Sequence, residues 1–242
     1  MLFRSDPSIS REPSPAGLTG FHLMGSVPEP FTIYRAIRAV PAGSWITVDA
    51  RGVGEPVRYA SVAQAIAEGR NGGTVDVAEA LRDSVRHHMV ADVEVGAFLS
   101  AGVDSGALVG LMRDCGAQRI RACTLAFPEF AGTPADEVPG AASVAALYGV
   151  EHHVRQISAE EFRGDLPAIF AAMDQPTIDG INSWFVSKAT RELGLKVALS
   201  GLCGDELLAG YSTFRTNPQT RRVFGPLAHV PGAGRARRRL RK

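Results

Sequence analysis

From Val75 onward, short apolar runs alternate with longer stretches of helical period, and this rhythm constrains the fold more than any other feature. Leu81, Val85 and Met89 recur at four-residue spacing, which predicts an amphipathic helix through about Val90. The run V-E-V-G-A-F-L at 93–99 reads as a buried strand, Val103–Cys115 as a helix, and R-A-C-T-L-A-F at 121–127 as a second strand. A helix over Asp136–Leu147, closed by Gly149, leads to the strand-like E-H-H-V-R-Q-I at 151–157. Helices follow at 159–172 and 183–193, and K-V-A-L-S at 196–200 supplies a further strand. Strands separated by helices pair in parallel through right-handed crossovers. The expected fold class is therefore α/β, a parallel sheet flanked by helices.

The part before Val75 is less regular. Residues 1–30 are rich in Pro, Ser and Gly with no sustained period, and they read as loose chain or as the ragged end of a larger unit. An apolar stretch at Phe31–Val40 meets Pro41-Ala42-Gly43, then W-I-T-V alternates like a strand, and Asp49 to Gly54 reads as a turn. Residues 60–74 read as a linker closing on Asn71-Gly72-Gly73. The expected division is 1–74 and 75–242, and no internal repeat is visible.

In parallel sheets ligands sit beyond the carboxyl ends of strands. Two segments occupy such ends: F-L-S-A-G-V-D-S at 98–105 and L-S-G-L-C-G-D-E at 199–206, each directly after an apolar run. Both put small residues and a carboxylate where a strand should stop and a helix begin. A helix N-terminus presents unpaired N–H groups and partial positive charge, which suits a phosphate. Ser100, Ala101 and Gly102 let the backbone approach an anion, Ser105 adds a hydroxyl, and Asp104 is placed to hold a magnesium ion. Asp205 could supply a second metal contact from the neighbouring strand end. The lysine-bearing Walker loop is excluded, because no lysine lies near Ser100.

Bulk properties exclude several classes. No uncharged run approaches the ~18 apolar residues of a membrane span, and the N-terminus lacks a signal-peptide core. Cys115, Cys123 and Cys203 are odd in number and fit no metal-ligand spacing, so free thiols and a cytoplasmic location are expected. The near-balance of 26 Lys and Arg against 25 Asp and Glu hides an asymmetry: the last eight residues, R-A-R-R-R-L-R-K, carry six of the cations. Without accompanying aromatics this run reads as a solvated end, and no nucleic-acid or membrane partner is expected.

The two loops together, about a hundred residues apart, resemble the pyrophosphate loop S-G-G-x-D-S and the later S-G-x-x-x-D-E segment of the asparagine synthetase family. Further similarity lies in E-P-F-T-I-Y-R-A-I-R-A-V-P-A-G-S (29–44), A-D-V-E-V-G-A-F-L-S (91–100), A-D-E-V (135–138), His152-His153, M-D-Q-P-T-I-D-G (173–180) and L-K-V-A-L-S-G-L-C-G-D-E-L-L-A-G-Y (195–211). The resemblance implies an adenine-nucleotide α-hydrolase-like fold of the ATP pyrophosphatase type. It implies a glutaminase-domain remnant plus linker at 1–74 and an ATP-binding domain at 75–242, truncated at both ends. The implied chemistry is attack of a substrate carboxylate on the α-phosphate of Mg-ATP, release of pyrophosphate, and displacement of AMP by ammonia to form an amide. The implied partners are a small-molecule carboxylate, ammonia and a separate glutaminase domain or subunit.

By position in that family, Ser100, Gly102, Asp104 and Ser105 would hold the β- and γ-phosphates and Mg2+, with Asp205 the second metal carboxylate. Backbone near Phe98 and Leu125, with Ser200 and Gly201, would border the adenosine. Asp174, Thr177, Asp179 and Leu202 would border the acceptor pocket. Departures from the family pattern stand at Ala101, where glycine is usual, and at Leu202, where asparagine-forming members carry a glutamate. Asp179 stands where those members have an arginine, and Met1-Leu2 where they begin with Met-Cys. Leucine cannot do acid–base work, and Asp179 would repel an aspartate carboxylate. A catalytically impaired nucleotide-binding fragment, or a synthetase amidating a larger carboxylate, are the alternative readings.

Other residues carry weaker signals. Neighbouring histidines at 87–88 and 152–153 point to different faces of a helix or strand, which is poor geometry for one metal. Asp136-Glu137 reads either as nucleotide-facing or as a helix start, and Asp174 either as pocket border or as a turn residue. Cys203 lacks a neighbouring histidine and reads as a small loop residue rather than a nucleophile.

Overall fold

The computed structural model describes residues 6, 8–69, 72 and 74–225, so the basic run at 235–242, Asn71 and Gly73 lie outside the described residues. The N-terminal region is more ordered than its composition suggests. Helix α1 (Pro15–Met24) starts at Ser14, whose hydroxyl accepts the Gly17 N–H, and stops at Gly25 with φ +77°. It shows no apolar period because its packing face is glycine. A Cβ on Gly17 would lie 2.1 Å from the Thr32 carbonyl oxygen, and one on Gly20 would lie 2.2 Å from Pro28. The expected loose chain is thus corrected to a helix in close backbone contact.

The W-I-T-V segment divides between two small antiparallel pairs: β1 (Ser44–Trp45) with β4 (Val57–Arg58), and β2 (Val48–Asp49) with β3 (Gly52–Val53). The expected linker holds α2 (Val62–Gly69), a helix without a buried residue that carries a Gln64–Glu68 side-chain bond of 2.7 Å.

The remainder follows the alternation read from the sequence. Helix α3 (Val77–His88) is capped by Asp76, whose carboxylate accepts the N–H groups of Ala78 and Glu79. Then come β5 (Val95–Phe98), α4 (Val103–Asp114), β6 (Arg121–Ala126), α5 (Val138–Tyr148), β7 (Glu151–Gln156), α6 (Ala159–Ala172), α7 (Gly180–Glu192) and β8 (Val197–Leu199). Gly149 closes α5 with φ +61°, as its position predicts. Two more helices follow that the apolar pattern does not announce, α8 (Gly204–Leu208) and α9 (Thr213–Phe224). Neither contains a buried residue, so neither needs an apolar face.

Strands β5 to β8 form one parallel sheet in the order β7-β6-β5-β8. Helices α3, α4 and α5 cover one face, where Val109, Met112, Ala141 and Ala145 pack on Ala97, Leu99 and Ala122. Helices α6 and α7 cover the other, where Ile169 and Phe185 pack with Ile157, Leu125 and Phe127. The chain steps outward from β5 to β7, then returns to place β8 on the far side of β5. The direction of winding therefore reverses between β5 and β8, and a parallel α/β sheet opens a crevice at that point.

Two features hold the α7 side. Arg155 pairs with Glu161 and Glu192, and Lys188 with Glu161 and Asp165, joining β7, α6 and α7. The N-terminal region is tied to the turn before α7 through Ile178 N–H to the Gly25 carbonyl (3.0 Å) and Ile33 N–H to Gln175 Oε1 (2.9 Å).

Candidate functional site

The loops after β5 and β8 flank the crevice. In the first, Ser105 is buried and its hydroxyl binds the loop together. It accepts the Ser100 N–H at 3.1 Å, lies 2.9 Å from the Ser100 hydroxyl, and reaches the Gly102 carbonyl at 3.1 Å. The Ser100 hydroxyl in turn accepts the Gly102 N–H at 3.1 Å. Gly102 then starts α4 with no side-chain cap, so the first-turn N–H groups are not claimed by one. Ala101 avoids the left-handed region; among the described residues the non-glycines with positive φ are Cys203 and Ala209. Its methyl group instead sits against Gly140, where a Cβ would fall 2.7 Å away.

The second loop approaches the first through missing side chains. A Cβ on Gly201 would lie 3.1 Å from the Ser105 nitrogen, and one on Gly204 would lie 2.4 Å from an oxygen of Asp104. A Cβ on Gly210 would meet Asp205 Oδ1 at 1.9 Å. Each aspartate carboxylate is thus seated against a glycine of the second loop or its exit. Cys203 takes φ +73° at the start of α8, a conformation that strains an L side chain.

These loops enclose a cavity of about 740 Å3. Phe98, Ser100, Gly102, Asp104, Ser105 and Leu125 line it from the β5 and β6 ends. Ser200, Gly201, Leu202 and Asp205 line it from the β8 end. The three remaining candidates are elsewhere. Asp174, Thr177 and Asp179 are not among its lining residues. Thr177 bridges to Ser26, and Asp179 is exposed at the start of α7.

Several lining groups escape a motif-based reading. Asn182, Ser183, Val186 and Ser187 form a neutral wall on α7, and their i, i+1, i+4, i+5 spacing is the signal that could have exposed them. Glu137, Glu206 and Tyr211 also face the cavity. The Tyr211 hydroxyl lies 3.4 Å from Glu206 Oε1. The Glu206 charge, then burial and the Asp205 charge, push that phenol above its ordinary range, with a smaller push from Asp104. Asp136 is a turn and helix-start residue, its carboxylate accepting the N–H groups of Gly132 and Val138.

Among the described residues, no three His, Cys, Asp or Glu side chains form a ready cage for a metal ion. Asp104 and Asp205 on one cavity nevertheless fit magnesium, which takes one or two carboxylates and completes its shell with water and phosphate oxygens. The three cysteines are free thiols, and burial raises the Cys123 pKa. Among the described residues, no helix is long and apolar enough to cross a membrane.

Comparison with known proteins decides the family. The model of the family described as Asparagine synthase matches residues 76–242. The chain belongs to the asparagine synthase family. A putative glutamine-hydrolyzing asparagine synthetase of Mycobacterium tuberculosis is 33% identical over 214 residues, covering 86% of this chain and 32% of that protein. Glutamine-hydrolyzing asparagine synthetase 1 of Bacillus subtilis is 30% identical over 218 residues, covering 89% of this chain and 33% of that protein. The chain thus spans about a third of the length of these asparagine synthase relatives. An NH3-dependent NAD synthetase from Campylobacter jejuni, solved with a nitrate ion, is similar over 56% of this chain and 59% of its own, at 17% identity and a TM-score of 0.38.

Proposed function

We propose that this chain carries the ATP-binding half-reaction of an amide synthetase: a substrate carboxylate attacks the α-phosphate of ATP, pyrophosphate leaves, and ammonia displaces AMP. The observation that carries the reading is the convergence of both strand-end loops, with Asp104 and Asp205, on one cavity at the sheet's switch point. The departing pyrophosphate gains charge, and oriented N–H donors at an uncapped helix start stabilise such charge without reorganising. Ser100 and Ser105 shape that donor loop, while the cavity ends of β5 and β6, with Phe98 and Leu125, border the nucleoside. Asp104 and Asp205 would hold Mg2+, which when bound neutralises phosphate charge as a Lewis acid.

In this reading residues 1–74 belong to a glutaminase-type domain and its linker, and residues 75–242 to the ATP domain. Ammonia comes from a glutaminase domain or subunit, in a reducing cytoplasm that suits free thiols. Leu202 is 82% exposed on the cavity wall and has no proton to handle. Glu137 and Glu206 are the lining acids able to accept one from the incoming ammonia.

The same two acids favour a second reading of the acceptor. With only neutral residues of α7 lining the same cavity, they would repel a second carboxylate, so a larger monocarboxylate fits this cavity better than aspartate does. The test is product analysis of the full chain with ATP, Mg2+, ammonium and a panel of carboxylic acids. AMP and pyrophosphate are expected, falling at least ~100-fold in Asp104→Asn. ADP and phosphate would overturn the mechanism, and robust turnover with aspartate alone would remove the second reading.

A further inference from the structure

The peptide unit joining Leu99 to Ser100, at the entrance of the first loop, is gripped on both of its polar atoms. The Leu99 carbonyl accepts the Thr124 hydroxyl at 2.6 Å, and the Ser100 N–H donates to Ser105 Oγ at 3.1 Å. The ladder bond from Leu99 N–H to the Cys123 carbonyl, 3.0 Å, fixes the preceding peptide as well. Thr124 is 1% exposed and lies within 2.7 Å of His152 Nε2. A hydroxyl has one proton. Once Thr124 gives it to Leu99, its oxygen must accept at His152, so the ring carries hydrogen on Nε2.

We infer that Thr124 and His152 are positioning residues that set the shape of the phosphate loop from behind, through a hydrogen-bond chain crossing β7, β6 and β5. The inference rests on reading that loop as the seat of the nucleotide's phosphates. Neither residue lines the cavity, so neither touches the nucleotide. Their action passes through one peptide plane. Rotating it would turn the Ser100 N–H away from Ser105 and release the Ser100–Ser105–Gly102 bonds that define the loop.

Burial, and then the neighbouring His153 charge, lower the His152 pKa, which keeps the ring neutral and its tautomer tied to the Thr124 oxygen. Register explains why these residues meet. His152 pairs with Ala122, and Thr124 lies two residues further along the same face of β6, over α4 and α5.

The experiment measures Mg-ATP binding to the full chain by calorimetry, beside thermal unfolding. Thr124→Val should weaken binding by ~tenfold or more, and Thr124→Ser should restore it to within about twofold. His152→Leu should lose several-fold, with His152→Gln, which keeps an N–H donor, recovering part. Val109→Ala, a core change on the same side of the sheet, should lower stability while leaving affinity unchanged; this separates positioning from general loosening. Should Thr124→Val fail to fold, the His152 pair and the 15N shifts of the wild-type ring carry the test. Unchanged affinity in folded Thr124→Val and His152→Leu, or an Nδ1–H ring, would overturn the inference and leave the proposed function standing. Failure of the wild type to bind Mg-ATP would instead sink the reading of the loop, and this inference with it.

Discussion

The loops at 99–105 and 200–206 look alike in sequence, yet they are held by different forces. The first is braced by hydroxyls: Thr124 behind it, Ser105 through it, Ser100 across it. It feeds α4, whose Val109 and Met112 are buried in the core. The second has little of this. Its helix α8 buries no residue, Leu202 and Leu207 are exposed, and Cys203 and Ala209 both take positive φ. What it has instead is closeness, since Gly201 and Gly204 press on the backbone and carboxylate of the first loop. One loop is rigid by bonding and the other is placed by the absence of side chains.

The sharpest way to break that contrast is Gly204→Ala. Its methyl group would meet the Asp104 carboxylate at 2.4 Å, so the aspartate must move. Mg-ATP affinity should fall by ~tenfold or more, with thermal stability nearly unchanged because α8 contributes no buried residue to the core. Ser105→Ala should do the reverse in kind. It strips the first loop of its brace and leaves the half-buried Ser100 N–H without its partner, costing about 1 kcal/mol in denaturant unfolding. Its loss of nucleotide affinity should follow from that loosening and be at least that of Thr124→Val, which acts on the same bonds from behind.

Acid should reach the α7 wall of the cavity through the charges behind it. Pairing with Arg155, then Lys188, holds the Glu161 carboxyl below its usual range, and Arg155 does the same for Glu192. A lowered carboxylate pKa means stability that is complete above the unfolded value of about 4.5 and lost as pH falls through the lower folded value. The urea midpoint of the wild type should therefore fall below that pH, and fall less steeply in Arg155→Met. The smallest effect belongs to Cys203→Gly. Releasing an L residue from φ +73° should raise stability by about 0.5–1 kcal/mol, read by thermal unfolding. A destabilised Cys203→Gly would show that the second loop is not strained.

The sheet was legible because burial imposes a period: β5 and β6 are runs that a parallel sheet buries, while the polar edge strand β7 keeps no buried residue. The two loops were legible because small residues and a carboxylate at a strand end have a distinct chemistry. Helix α1 was hidden, since a face made by Gly17 and Gly20 leaves no apolar period, although Ser14, Pro15 and Gly25 marked its ends. The α7 wall was hidden because Asn182, Ser183 and Ser187 are ordinary polar residues until β8 returns beside β5 and turns their face inward. Motif position alone points Asp174, Thr177 and Asp179 toward an acceptor pocket; they do not line the cavity, and Gln175 and Ile178 of the same turn dock Gly25–Ile33.

The central claim is that both loops grip one ion and one triphosphate tail. A double-mutant cycle on Mg-ATP binding, with Asp104→Asn, Asp205→Asn and the pair, tests it directly. If the two carboxylates share the ion, each single change should cost most of the affinity and the double change little more. If one substitution leaves binding unchanged, or the two losses simply add, the aspartates serve different sites and the account is wrong.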